Sequence, residues 1–400
     1  MSRSRDFDVL IVGGGMVGAA LAAALRATPA TRSLAVSLVE PRPVLMPLPR
    51  EPLDVRVSAL SRASERLLVE TGAWPLLAPR HPCSYERMVV WDGASAMGGA
   101  DTLVFDAAEA GERNLGHIVE NRSVTAALVE RAVALGVTLL RSPVTAVECT
   151  ADDARVTTTG RVLTGALVVA ADGADSPVRT MAGIGGAPVA YPQTAIVAHL
   201  TPQQPHAATA YQRFLEGGPL ALLPLADGRV SIVWSLPPAR AEELMQVDDA
   251  AFAAAVTAAS DGVLGGFTPA SPRAAHGLRH FNAPTYAATR LALVGDAAHA
   301  VHPLAGQGVN QGLLDVRALV GELGKAIAVG ADVGDAGAIG RYARRRRAQN
   351  ALVGQALDTI YRVYTSDGPL LRRARRVALG LANRMTPLKH VLVSRALLGE

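Results

Sequence analysis

The sequence predicts an α/β fold, α+β overall: a Rossmann-like nucleotide-binding unit, a β-sheet region inserted into it, and C-terminal helices. Three apolar runs end in glycine turns: Phe7–Val12 before Gly13, Leu167–Ala171 before Asp172-Gly173, and Leu291–Val294 before Gly295-Asp296. Such runs read as buried strands of a mostly parallel sheet. Between the second and third runs, residues 195–280 alternate apolar and polar with turn signals, the pattern of an antiparallel sheet. The boundaries expected from these patterns are 1–80, 119–185 and 281–330 for a discontinuous nucleotide-binding domain. Residues 81–118 and 186–280 then form the β-sheet domain, and 331–400 a C-terminal helical region.

Composition sets the limits. At 400 residues, 50% hydrophobic and 18% charged, the chain can bury two or three cores and is not disordered. A net charge of +4 is mild for this length. No concentrated basic face with aromatic support accompanies the glycine motifs, so nucleic-acid binding is not expected. Two cysteines, Cys83 and Cys149, are too few for a disulfide framework or a zinc site and read as reduced thiols. The start of the chain does not resemble a secretory signal, and no run reaches the roughly 18 apolar residues of a membrane span. The expectation is a cytoplasmic protein, with peripheral contact at the inner face of the membrane left open.

The elements follow in order. After the first strand, Gly13, Gly15 and Gly18 match G-x-G-x-x-G and open a small-residue helix, Ala19 to Leu25. The first glycine serves the turn, the second the approach of a pyrophosphate, the third close helix–strand packing. Leu34 to Val39 is a second strand ending in Glu40, about twenty residues on, where a ribose hydroxyl is held. Together these point to an adenine dinucleotide. Arg56 is expected at the start of a helix running through Leu67-Leu68. Its guanidinium suits a pyrophosphate or ribityl chain, and the alternative is a surface ion pair. Ile118 to Arg122 is expected to open a helix ending near Gly136, with Arg122 either a second polar cofactor contact or a solvated residue.

The Asp172-Gly173 turn gains meaning from Ser176 and Arg179, giving D-G-x-x-S-x-x-R at the carboxyl end of a strand, where ligands bind in open α/β sheets. Arg179 would anchor the loop or meet a phosphate. In the inserted region, Tyr211–Phe214, Pro219–Pro224 and Val230–Ser235 read as strands, Asp227-Gly228 as a hairpin turn, and 239–259 as one helix. The third turn continues through His299, His302-Pro303, Gly306-Gln307-Gly308 and Asn310 to Asp315. Asp296 sits at a strand end facing a ligand, and Gly306 and Gly308 allow close backbone approach to a flat ring. The helix that follows offers free N–H groups and a positive dipole end. Further on, Arg341–Tyr364 and Leu370–Leu398 read as helices rich in arginine, with Arg344–Arg347 near the start of the first. These arginines read either as a solvated face or as a basic surface for anionic lipid or a partner.

Taken together, the three glycine motifs resemble those of the FAD-dependent aromatic hydroxylases, the group A flavoprotein monooxygenases with the para-hydroxybenzoate hydroxylase fold. The resemblance covers nearly the whole chain. Arg56–Leu60, the strands from Arg213 to Trp234 and the loop His302–Gly308 look like the ubiquinone-biosynthesis hydroxylases. The segment 218–229 is most similar to the branch acting on 2-polyprenyl-6-methoxyphenol at ring carbon 4, and branches acting at other carbons share much of it. The resemblance implies FAD as cofactor, NADPH or NADH and O2 as co-substrates, and ring hydroxylation through a flavin C4a-hydroperoxide. By position it implies that Gly13, Gly15, Gly18, Glu40, Arg56, Arg122, Asp172, Asp296, Gly306, Gly308 and Asn310 bind the cofactor. His302 and Pro303 are the candidates facing the flavin ring, with no dedicated base identified. A polyprenylated phenol substrate is implied, and contact with a quinone-biosynthesis complex, homo-oligomerisation and a non-hydroxylating role on the same scaffold stay open.

Overall fold

The computed structural model describes residues 5–99, 102–301 and 307–365. The first part of the chain runs β1 (Phe7–Val12), α1 (Met16–Ala27), β2 (Val36–Val39), β3 (Val57–Ser61), α2 (Arg62–Thr71), β4 (Cys83–Tyr85), β5 (Arg87–Asp92), β6 (Leu103–Asp106), β7 (Gly116–Glu120), α3 (Asn121–Ala134), β8 (Thr138–Leu140), β9 (Val144–Cys149), β10 (Ala154–Thr158), β11 (Arg161–Ala170) and α4 (Pro177–Met181). It continues with β12 (Val189–Pro202), β13 (Thr209–Leu215), β14 (Gly218–Pro224), β15 (Val230–Leu236), α5 (Pro238–Gln246), α6 (Asp249–Ala259), β16 (Phe267–Pro269), β17 (Ala274–Asn282), β18 (Ala287–Ala288), β19 (Leu291–Leu293), β20 (His299–Ala300), α7 (Gln307–Ala328) and α8 (Ala336–Thr365).

The first sheet has the order β18-β19-β11-β1-β2-β8, and β9 and β10 extend it from β11. Strands β19, β11, β1, β2 and β8 are parallel. Strands β2 and β19 are buried throughout, as are most residues of β1 and β11, while β8 at the edge is only partly covered. Helix α1 packs against α3 and α7. Its residues from Gly18 to Leu25 are all buried. A helix apolar all round belongs in a core, and its alanines let neighbouring backbones come close.

The second sheet has the order β20-β17-β12-β15-β14-β13-β5-β6, with β16 beside β12. One face carries Ile196, Leu200, Leu222, Ile232 and Trp234 against Leu244 of α5 and Phe252 and Val256 of α6. The opposite face looks towards the first sheet. Strands β14 and β15 are joined at Asp227-Gly228, where Gly228 has φ 86°. Strands β3, β7 and β4 form a third, small sheet.

Several expectations are corrected. Residues 239–259 form two helices, because Val247 is extended and the Asp248 carboxylate caps α6 by accepting from Ala251 N at 2.7 Å. Ile118–Glu120 belongs to β7, and the helix starts at Asn121. Arg56 precedes a strand, not a helix. Strand β4, expected in the β-sheet domain, and β7, which straddles the expected boundary between 118 and 119, both pair within a small sheet with β3, and β20 pairs with β17 of the second sheet. The segment Leu370–Leu398 lies outside the described residues. No described helix is long and apolar enough to cross a membrane. Both cysteines are free thiols, and burial pushes each to a pKa of about 11.

His199 on β12 pairs across the sheet with Ser231 on β15. The imidazole is fully buried, and neither ring nitrogen has a partner among the described residues. Burial, aided by Arg229, lowers its pKa to about 4. The folded value therefore lies below the unfolded value of about 6.5. The stability linked to the neutral ring is present above pH 6.5 and is lost as pH falls towards 4. Replacing His199→Met should narrow the drop in Tm between pH 7 and pH 5 relative to the wild type; an unchanged drop, read by differential scanning fluorimetry, would refute this.

Candidate active site

The site starts from strand register. Val12 pairs with Ala170, and Ala170 with Leu293, so β1, β11 and β19 end side by side. The three glycine turns leave the sheet at one edge, the carboxyl-end crevice of an open α/β sheet. Gly13 has φ +104°, and a Cβ there would lie 2.4 Å from the Ala171 carbonyl oxygen, so only glycine fits. Gly18 approaches Gly13 more closely still. A Cβ on Gly15, by contrast, would meet nothing within 4 Å. Gly15 caps α1 without a side-chain hydrogen bond, and Gly15, Met16 and Val17 line the cleft above the edge. An unshielded helix N-terminus of this kind suits a pyrophosphate. Glu40, 4% exposed, accepts from Gly14 N at 2.8 Å and Arg42 N at 3.0 Å, which fixes its carboxylate beside the turn.

The cleft has a volume of about 670 Å³. Asp54, Arg56, Arg122, Asp296, Gly308 and Val309 line its floor, and side chains of the second sheet, with Tyr85 of the small third sheet, line its roof. Arg122 is paired with Glu51 at 2.7 Å, and both are half-exposed. Asp296 lines the cleft with its side chain exposed to it. The surrounding protein raises its pKa by desolvation, and the charges of His299, Arg56 and Arg279 pull it back. Gly308 stands in the first turn of α7, whose N-terminal end faces the cleft.

A buried ionic cluster supports this floor. The Asp315 Oδ2 accepts from Gly295 N at 3.0 Å and sits 2.5 Å from His299 Nε2. Its Oδ1 accepts from Arg346 Nε at 2.6 Å and Asn350 Nδ2 at 3.2 Å. Arg346 also reaches the Gln311 carbonyl and side chain. Burial opposes the charge on Asp315, yet His299 and Arg346 more than offset it and hold the pKa below the ordinary carboxylate range. The cluster ties α7 and α8 to the backbone of Gly295, next to Asp296. Arg346 is thus neither solvated nor free for lipid, contrary to both sequence readings of the arginine run; it is 4% exposed.

Other expected contacts also fall elsewhere. Asp172 Oδ1 accepts from Ser176 Oγ at 2.5 Å and Oδ2 from Val178 N at 3.0 Å, so its carboxylate locks the start of α4; Ala171 and Gly173, not Asp172, line the cleft. Desolvation raises the Asp172 pKa against the pull of those two bonds. Arg179 donates to the carbonyls of Ala297 and Ala174, both at 2.9 Å, and lies over the Phe281 ring, so it anchors the loop. Asn310 Oδ1 accepts from Ser61 N and Ser64 Oγ, and its Nδ2 donates to Ala59 O, so its amide joins α7 to β3 and α2. Of the expected residues, Gly15, Arg56, Arg122, Asp296 and Gly308 line the cleft, while Gly13, Gly18 and Glu40 shape the turn beside it without lining it. His302, Pro303 and Gly306 lie outside the described residues. Sequence reasoning missed the cluster around Asp315 and the roof residues Tyr85, Met88, Gln212 and Ala221, which carry no motif; strand alternation was the one signal they left.

Comparison with known proteins decides which dinucleotide this is. The sequence profile described as FAD binding domain matches residues 6–355. The chain belongs to this family of FAD-dependent aromatic monooxygenases. It is 36% identical to the 3-demethoxyubiquinol 3-hydroxylase of Escherichia coli, covering 98% of each chain. It is 35% identical to the ubiquinone hydroxylase UbiL of Rhodospirillum rubrum, over 99% of this chain and 90% of that one. It is 33% identical to the human mitochondrial ubiquinone biosynthesis monooxygenase COQ6, over 98% and 92%. Among solved structures, p-nitrophenol 4-monooxygenase PnpA from Pseudomonas putida superposes with a TM-score of 0.76 at 18% identity, covering 97% and 96% of the two chains, which shows a shared fold. The residues present are compatible with FAD: the N-terminus of α1 is open at Gly15, and Asp296 and the first turn of α7 line the same cleft.

Two measurements test this floor. Because a Cβ on Gly15 meets no protein atom, Gly15→Ala should leave the Tm of flavin-stripped protein unchanged while weakening FAD binding at least about tenfold; Gly18→Ala should destabilise the stripped protein itself. Asp315→Asn leaves Arg346 buried without its carboxylate and should cost about 3–5 kcal/mol in denaturant unfolding, partly recovered by adding Arg346→Met. A stripped Gly15→Ala protein that melts low, or an Asp315→Asn protein as stable as the wild type, would contradict these assignments.

Proposed function

We propose that the protein hydroxylates the ring of a polyprenylated phenol in quinone biosynthesis, with 2-polyprenyl-6-methoxyphenol and ring carbon 4 as the first reading. One observation carries it: the cleft joins a dinucleotide-binding floor to an apolar roof on a second sheet, in a chain related along its whole length to hydroxylases of quinone precursors. When bound, FAD supplies the redox chemistry through which O2 and a nicotinamide reductant yield a hydroxylated ring. The protein's own residues bind and orient. Gly15 and the first turn of α1 hold the pyrophosphate, Glu40 and Asp296 hold the two polyol ends, and the N-terminal end of α7 stabilises negative charge that gathers on the ring. The apolar roof excludes water, which protects an oxygen transfer from wasteful side reactions.

A second reading has a specific observation behind it. The similarity to 3-demethoxyubiquinol 3-hydroxylase spans nearly all of both chains. It favours the same chemistry at a different carbon of a later, more substituted ring. Deleting the gene in its native host and profiling quinone intermediates by mass separates the two. The first reading predicts accumulation of 2-polyprenyl-6-methoxyphenol, and the second accumulation of a demethoxyquinol. Normal quinone with neither intermediate would overturn both.

A further inference from the structure

The roof of the cleft differs chemically from its floor. Strand register sets Ala210 beside Met88, Gln212 beside Ala221, and Ala221 beside Val233. All of these line the cleft, with Leu223. Ala210 and Ala221 are short, so the sheet face is hollow between the bulkier Met88, Leu223 and Val233. Tyr85 enters from β4 and packs in one cluster with Ala210 and Leu223. Gln212 is 5% exposed and Tyr85 4%. Neither the Gln212 amide nor the Tyr85 hydroxyl bonds to any group among the described residues, and both residues line the cavity. Buried polar groups of this kind are rarely left without a partner. Two neutral hydrogen-bonding groups, one able to donate and accept through an amide and one through a hydroxyl, thus stand among the apolar side chains of Met88, Leu223 and Val233.

The charges around the cleft are all on the other side. Among the described residues that line it, the charged ones are Asp54, Arg56, Arg122 and Asp296. Arg122 is held by Glu51, and the charge of Arg56 acts on Asp296. No described cation belongs to the roof. A ring carboxylate seated there would lose its water against Met88, Leu223 and Val233 with no described cation to neutralise it, which is costly. A phenol or its methyl ether carries no such charge and needs only the two neutral groups.

We propose that Tyr85 and Gln212 are the specificity residues of the cleft: they hold the oxygens of an uncharged phenolic ring, and the roof rejects rings that carry a carboxylate. This rests on the reading of the protein as a phenol hydroxylase and adds which rings it accepts. Burial holds the Tyr85 phenol far above its ordinary range, so the hydroxyl keeps its proton throughout the working pH range.

The test titrates FAD-loaded protein with two probes, a phenol bearing a short ortho-prenyl tail and the same ring with an added carboxylate, and reads the flavin absorbance change. The wild type should bind the phenol at least about tenfold more tightly than its carboxylated counterpart. Tyr85→Phe and Gln212→Leu should each weaken phenol binding about threefold to tenfold, the range for one neutral hydrogen bond, with FAD content and Tm unchanged. Gln212→Arg should raise affinity for the carboxylated ring and lower it for the phenol, a reversal that a merely structural role would not produce. Equal wild-type affinity for the two rings, or unchanged phenol affinity in both Tyr85→Phe and Gln212→Leu, would overturn the assignment while leaving phenol hydroxylation standing. If neither ring perturbs the flavin of the wild type, the hydroxylase reading falls as well.

Discussion

Everything at the site depends on the register that ends β1, β11 and β19 at a common edge. Parallel strands buried on both faces leave little freedom to slip, because a one-residue shift would turn every side chain to the opposite face. With that register fixed, the Gly13 turn runs against the Ala171 carbonyl at a distance no side chain tolerates. The Gly295 turn lands over α1 and α7, where Gly312 and Gly295 both crowd Val17. The cleft floor is therefore a backbone construction. Side chains enter mainly to hold that backbone: Glu40 on Gly14, Asp172 on the start of α4, Asp315 on Gly295.

This explains which parts of the site were legible in the sequence. Glycines at Gly13 and Gly18 mark places where backbone geometry forbids a Cβ, so the motif and its spacing carry the structure directly. The alternation in 211–235 marks a sheet with one face on a helical layer and one on the cleft. Residue type does not encode direction, however. An aspartate at a strand end can face the ligand, as Asp296 does, or fold back onto its own loop, as Asp172 does. Asn310 lies two residues beyond Gly308 in the same helix, yet its amide faces β3 rather than the cleft. Arg346 sits in a run of four arginines whose neighbours are exposed, and only the packing of α8 on α7 shows that it belongs inside. Short strands posed the same difficulty. The three residues of β4 and the two of β20 are too few for periodicity to assign them to a sheet.

The two sides of the cleft divide the electrostatic work. The floor concentrates charge and dipole, and two of its charges have counterweights: Arg122 with Glu51, and Asp296 with the fields of His299, Arg56 and Arg279. Behind it, Asp315 carries a full negative charge in the core only because His299 and Arg346 flank it. The roof is neutral and largely apolar, as suits a ring delivered with a lipid tail. Separating the two environments lets one cleft bind a polyanion and an uncharged aromatic ring a short distance apart.

The central claim is that the Gly13 and Gly295 turns, the start of α7 and the segment before β3 close on a single flavin. Amide hydrogen exchange on flavin-stripped protein, with and without added FAD, measures this most directly. The account predicts slowed exchange together at residues 13–18, 294–300 and 307–312, and at the cleft-facing segment 54–59, with α5 and α6 unchanged. Protection confined to residues 13–18, with 294–300 and 307–312 exchanging as before, would contradict it.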